Sequence, residues 1–249
     1  MRVSLINLQL SESPDTNLKT AEEMLYKAAD DGSQFICLPE YFLMPPNMDE
    51  KTSIDALVGA TTKPALEMLQ RVSKDINAYV VGGTIVESFR GKCYNTCLFL
   101  KGGRILGKFR KMHLTDWEKS VGLNVGSTFK VFKTEYCNVG ILICYDVFFP
   151  RAVKKLSLLG AEVIFLPISA PRSHPQVTGH PITEKRATNN NVFIIKTGNT
   201  RSNSISGYSA IISPWGTLRQ ANDEFSTEII TSDLDINKLR KYSKRQNLQ

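Results

Sequence analysis

The chain has 249 residues, 42% of them hydrophobic and 22% charged, which suits one large domain with a substantial core, and no linker, repeat or low-complexity segment divides it. Its apolar runs are strand-sized, well short of the roughly 20 residues that cross a bilayer, and no basic segment followed by an apolar core opens it, so a cytoplasmic protein without membrane attachment is expected. The formal net charge of +7 gathers partly in Lys238, Arg240, Lys241, Lys244 and Arg245 and is otherwise scattered without interleaved aromatics, which argues against a nucleic-acid partner.

In chain order, alternation in Val3-Ser4-Leu5-Ile6-Asn7-Leu8 predicts a strand. Ser13-Pro14-Asp15 opens a helix that runs to Ala29 and closes at Asp31-Gly32. A strand over 34–39, a helix near 63–77 and strands near 79–86, 93–100 and 104–110 follow, with a tight turn at Gly102-Gly103. The second half reads as strand 137–143, helix 150–159, strand 162–166, helix 181–190, strand 192–197, a hairpin across 207–218 and strand 226–232. Mixed elements of this kind define an α/β chain of helix-covered sheets, in one domain over residues 1–249.

Two patterns are set aside. Gly102-Gly103-Arg104-Ile105-Leu106-Gly107-Lys108-Phe109 approaches a phosphate-binding loop, but Phe109 stands where a hydroxyl is needed and no helix follows. Cys93 and Cys97 lack a second pair of ligands, and the histidines are His113, His174 and His180, so no metal and no cofactor are expected. The odd count of five cysteines, Cys37, Cys93, Cys97, Cys137 and Cys144, fits free thiols in a reducing compartment.

Three apolar runs end on reactive side chains. Phe35-Ile36-Cys37-Leu38-Pro39-Glu40 delivers a carboxylate, Phe109-Arg110-Lys111 an ammonium, and Val139-Gly140-Ile141-Leu142-Ile143-Cys144-Tyr145-Asp146 a thiol. Polar residues at strand edges lie where open α/β sheets bind ligands, which makes Glu40, Lys111 and Cys144 a candidate catalytic triad. A thiol attacks as thiolate, and a carboxylate beside it can take the proton.

These motifs resemble the nitrilase superfamily of carbon-nitrogen hydrolases: Leu-Pro-Glu40, Phe-Arg-Lys111 before Met-His-Leu, and Cys144-Tyr-Asp. The segments Gly160 to Pro167, Arg186-Ala187-Thr188-Asn189-Asn190 and Gly207 to Gly216 extend the likeness over nearly the whole chain. The resemblance implies a four-layer αββα sandwich, commonly assembled as a homodimer or higher homo-oligomer. It also implies a cysteine hydrolase with Glu40 as base, Lys111 and the backbone N–H of Tyr145 as oxyanion donors, and Glu118 as a second glutamate near the lysine. His113 is expected to pack or cap the loop after Lys111, and His174 and His180 are assigned no chemistry.

Phe148 occupies the position where members acting on acidic substrates carry Arg, and Arg151 replaces a usual Glu, so a neutral or cationic small molecule is expected. Phe148 and Tyr41 are candidate walls of the acyl pocket. The expected reaction is cleavage of a small amide or carbamoyl compound through a thioester. The alternatives are conversion of an aliphatic nitrile to the acid, and a non-catalytic binding subunit on the same fold.

Overall fold

Alternation along the first two strands sets up the layers. In the computed structural model, which describes residues 1–44, 53–169, 180–200, 208–222 and 225–246, β1 (Arg2–Gln9) turns Val3 and Leu5 to one side and Ile6 and Leu8 to the other. β2 (Phe35–Cys37) does the same with Phe35 and Cys37 against Ile36, which Leu38 joins just beyond the strand. Ile6, Leu8, Ile36 and Leu38 pack under α1 (Pro14–Asp30) and α3 (Lys63–Asp75). Val3, Leu5, Phe35 and Cys37 face a second sheet, where Phe35 stacks on Phe165 with ring centroids 5.8 Å apart.

The first sheet continues through β3 (Tyr79–Val81), β4 (Ile85–Phe89), β5 (Lys92–Lys101), β6 (Arg104–Arg110), β11 (Asn199–Thr200) and β14 (Glu228–Asp233). Its order is β11-β1-β2-β3-β5-β4, with β14 antiparallel to β1 and β6 to β5. The second sheet holds β7 (Val131–Lys133), β8 (Asn138–Ile141), β9 (Val163–Pro167), β10 (Phe193–Thr197), β12 (Ala210–Ser213) and β13 (Gly216–Gln220), in the order β13-β12-β10-β9-β8-β7. Parallel β8, β9 and β10 are linked by α5 (Pro150–Leu158) and α6 (Pro181–Asn190), which cover the outer face through Ala152, Val153, Leu156 and Ala187. The result is the four-layer αββα sandwich.

Several predicted bounds shift for physical reasons. β2 ends at Cys37, because Pro39 has no N–H to donate to a ladder, and Glu40 therefore sits beyond the strand in a turn. The run expected as one strand over 79–86 splits at Gly82 to Thr84. Gly83 there has φ 58°, and a Cβ on it would lie 2.3 Å from the Pro39 carbonyl oxygen. The next hydroxyl, Thr84 Oγ1, accepts the Tyr41 N–H at 2.9 Å. This notch holds the segment that carries Glu40.

Some elements have no counterpart in the sequence reading: α2 (Ile54–Leu57) with a π-turn over Val58–Thr62, α4 (Asp116–Ser120), β7, and α7 (Ile236–Gln246), which buries Ile236 and Leu239. The hairpin expected across 207–218 is present as β12 and β13, while 207 lies outside the described residues, as does His174. The Gly102-Gly103 turn joins β5 to β6 as expected.

Gly83→Ala is expected to force the Pro39–Glu40 backbone outward, lowering unfolding free energy by about 2–4 kcal/mol in urea denaturation. A variant as stable as the parent would show that this close approach does not constrain the turn.

Candidate active site

Each sheet supplies part of the site. Glu40 follows β2, Lys111 follows β6, and Cys144 opens a 3₁₀ turn (Cys144–Phe148) beyond β8. Cys144 has φ 44°, a strained value for a side chain with a Cβ, and it stays half-buried where Glu40 and Lys111 are each 1% exposed. Cys37, Cys97 and Cys137 are buried.

The Lys111 ammonium lies 2.9 Å from Glu40 Oε1 and 2.8 Å from Glu118 Oε2. Glu118 is itself 1% exposed, brought in by α4. Thr115 caps that helix: its hydroxyl accepts the Glu118 N–H at 3.3 Å, and Glu118 Oε2 accepts the Thr115 N–H at 2.9 Å. Glu118 Oε1 then takes the Tyr41 hydroxyl and the Asn95 amide, each at 2.8 Å. Asn95 also donates to Glu40 Oε1 at 2.9 Å, so one buried amide on β5 spans both carboxylates.

The two carboxylates are driven apart in acidity. Burial pushes the Glu40 carboxyl above its ordinary range; the Lys111 charge opposes that rise and the Glu118 charge reinforces it. Burial acts on Glu118 in the same sense, but the charge and hydrogen bond of Lys111, with Thr115 and Asn95, outweigh it and hold this group below the usual value. For Lys111, burial works against the ammonium, and Glu40, Cys144 and Glu118 more than compensate, keeping it charged. Glu40 and the Ser169 backbone both act on the Cys144 thiol. Burial and then the Glu40 charge lift its pKa, which favours the thiol form.

Asp146 staples the two sheets' contributions together. Fully buried, it accepts the N–H groups of Met112 and His113, just after Lys111, at 3.2 and 2.9 Å, and that of Ile143, just before Cys144, at 3.0 Å. The His113 ring adds a contact from Nδ1 at 2.7 Å and stacks on Phe149 with centroids 3.7 Å apart. Arg186 fixes the other end of the 3₁₀ turn, donating to the carbonyls of Val147 and Phe148 at 3.0 Å.

Of the sequence candidates, Glu40, Lys111, Cys144 and Glu118 come together. Tyr145 sits in the first turn after Cys144, where a backbone N–H has no partner within the turn, and its ring packs against Phe148 and Phe149. Phe148 is half-buried beside this ring. Tyr41 is buried among Met44, Val86, Leu114 and Leu123, edge-on to Trp117, with its hydroxyl committed to Glu118. Asn95, Asp146 and Lys196 were not singled out from sequence.

A family model for carbon-nitrogen hydrolases matches residues 2–244. The omega-amidase NIT2 of Xenopus tropicalis is 32% identical over 94% of this chain and 88% of its own length. Among solved structures, Saccharomyces cerevisiae Nit3, a member of branch 10 of the nitrilase superfamily, matches with TM-score 0.81 and 25% identity over 98% of this chain and 94% of that one. An amidase from Nesterenkonia sp. gives TM-score 0.82 at 19% identity, over 100% of this chain and 96% of that one. The chain belongs to the carbon-nitrogen hydrolase family, within the nitrilase superfamily. It is an amidase-type hydrolase of C–N bonds. Among the described residues no helix is long and apolar enough to cross a membrane.

Asp146→Ala is expected to leave those backbone N–H donors without their acceptor and to cost about 3 kcal/mol or more in urea denaturation. Unchanged stability would remove Asp146 from this stapling role.

Proposed function

We propose that the site hydrolyses a small amide or carbamoyl compound with Cys144 as nucleophile and Glu40 as its proton acceptor. The observation that carries this reading is the buried Glu40 carboxylate, 2.9 Å from the Lys111 ammonium and close enough for its charge to act on the Cys144 thiol. Glu40 takes the thiol proton as sulfur bonds to the carbonyl carbon, and the carbonyl electrons move onto oxygen. The oxyanion meets the Lys111 ammonium and the Tyr145 backbone N–H. Collapse expels the nitrogen, which leaves as ammonia or amine with the proton from Glu40, and a thioester remains on Cys144. Glu40 then deprotonates a water that attacks the thioester, releasing the acid and restoring the thiol.

Glu118 serves a different purpose in this scheme. Its lowered pKa keeps it ionised while Glu40 cycles its proton, so Lys111 retains one fixed counter-charge at every step. Environments that push two neighbouring carboxyls apart divide the labour between them. Tyr41 and Thr115 hold Glu118 rather than touching the reacting groups, and Asn95 ties Glu118 to Glu40.

Cys144→Ala is expected to abolish ammonia release across a panel of amides, carbamoyl amines and nitriles; full turnover by the variant, or turnover of nitriles alone by the parent, would overturn this reading. A pH profile probes Glu40. Its pKa is raised and it must be ionised to accept a proton, so the acid limb of kcat/KM should lie above the usual carboxylate range. Glu118→Gln removes a charge that raises the Glu40 pKa, so that limb should move to lower pH, with kcat down on the order of 10- to 100-fold as Lys111 loosens. A limb that stays put would separate Glu118 from Glu40.

A further inference from the structure

The chain passes from the second sheet to the first within a single residue. β10 ends at Thr197, Gly198 makes the crossing, and β11 begins at Asn199, parallel to β1 with Asn199 opposite Leu8. Side chains from both sheets fix this crossing: the Gly198 N–H donates to Ser209 Oγ at 2.8 Å, and the Ser209 hydroxyl donates to Asn7 Oδ1 at 2.8 Å. Asn199, fully buried, therefore stands at the seam. Its Nδ2 donates to the Glu40 backbone carbonyl at 2.5 Å, and its Oδ1 accepts the Ser169 hydroxyl at 3.2 Å. A carbonyl oxygen only accepts, so these partners settle which way the amide faces. Ser169 lies just past β9, where the Ile168 N–H donates to the Thr197 carbonyl at 2.7 Å, and its backbone acts on the Cys144 thiol. One side chain thus joins the segment that carries the base to the segment that meets the nucleophile.

The bond to Glu40 falls where the main chain most needs holding. Tyr41 has φ 51°, in the left-handed region that a residue with a Cβ enters only at a cost, and such a conformation persists when its surroundings enforce it. The peptide group between Glu40 and Tyr41 is gripped at both polar atoms, its N–H by Thr84 Oγ1 at 2.9 Å and its carbonyl by Asn199. With that plane fixed, so is the direction in which the Glu40 side chain leaves the main chain, toward the Lys111 ammonium at 2.9 Å. Asp146 joins the lysine loop to the cysteine turn, and Asn199 brings in the segment of the base.

We propose that Asn199 is a positioning residue for the reaction: by binding the Glu40 carbonyl and the Ser169 hydroxyl at once, it sets the approach of the Glu40 carboxylate to the Cys144 sulfur. The inference rests on the reading of Cys144 as nucleophile and Glu40 as its proton acceptor. A carboxylate accepts a proton only from a group within hydrogen-bond reach, and a misplacement of about 1 Å can cost on the order of 100-fold in rate. Asn199 touches main chain and a hydroxyl rather than the reacting atoms, so its contribution belongs to the proton transfer and not to the affinity for substrate.

The test measures iodoacetamide labelling of Cys144 against pH, by mass spectrometry, in the full chain and in Asn199→Ala. Labelling at pH 7 should slow by roughly 10-fold or more in the variant, while Cys37, Cys97 and Cys137 stay unlabelled and so report an intact fold. The Lys111 charge lowers the Glu40 pKa, so a Glu40 released from its place beside Lys111 should move the acid limb of the labelling profile to higher pH. For the amide that the parent turns over fastest, kcat should fall by roughly 30-fold with KM within about threefold of the parent. Should Asn199→Ala fail to fold, Ser169→Ala breaks the same bridge at a partly exposed residue and should shift both readouts in the same directions by a smaller factor. Parental labelling and an unmoved limb in the folded variant, or a raised KM with kcat intact, would overturn the assignment. Failure of the nucleophile reading looks different: Cys144 of the parent would then label no faster than the buried cysteines, and Cys144→Ala would still release ammonia.

Discussion

Everything in the site depends on one buried ammonium between two buried carboxylates. Withdrawing such ions from water costs several kcal/mol each, and their mutual attraction offsets that cost only when the geometry is good and the remaining oxygens find donors. Here they do: Asn95 bridges both acids, while Tyr41 and Thr115 complete Glu118. Two negative charges against one positive leave the cluster short of a proton. The deficit falls on Glu40, which has fewer donors and faces the thiol, so the arrangement that steadies Lys111 also makes Glu40 the group most ready to take up a proton.

The sandwich makes this geometry possible by bringing the exits of two separate parallel sets side by side. Glu40 leaves β2 in one sheet and Cys144 leaves β8 in the other. Their separation is set by the apolar interior, in which Phe35 meets Phe165, and is refined by Asp146, which binds the lysine loop and the cysteine turn at once. A side chain that bonds backbone on both sides of a seam resists sliding of one sheet over the other. The strain at Cys144 is held in place by the same bonds, together with those from Arg186.

How much of this could be read from the chain varies residue by residue. Glu40, Lys111 and Cys144 each end an apolar run, and that local pattern survives translation into strand exits. Glu118 carries a local signal too, in Thr115-Asp116-Trp117-Glu118, the spacing of a capping box; the sequence reading paired it with Lys111 by likeness, but the short helix went unseen because five residues make no periodicity. Asn95 has no local signature at all. Its neighbours on β5 look like those of any strand, and its meaning comes from two carboxylates at sequence positions 40 and 118. Lys196 stood in view as a lone charge in Val192-Phe193-Ile194-Ile195-Lys196-Thr197, where a strand buried on both faces has no solvent for it. Tyr41 was read as a candidate wall of the acyl pocket, while its hydroxyl's bond to Glu118 depended on where α4 would dock.

The pairing of β1 with β14 bears on how the chain reaches this state. The strand at residues 2–9 lies beside one at residues 228–233, with Leu5 opposite Ile230, so the first sheet contains a ladder between segments nearly the full length of the chain apart. Contacts of such sequence separation form late, because closing so large a loop sacrifices entropy before any contact compensates. During synthesis the β1 edge must therefore remain open until residues 228–233 have emerged, leaving Leu5 and Ile6 and their unpaired amides available to other chains in the meantime. That exposure falls on the strand beside β2, from which Glu40 departs.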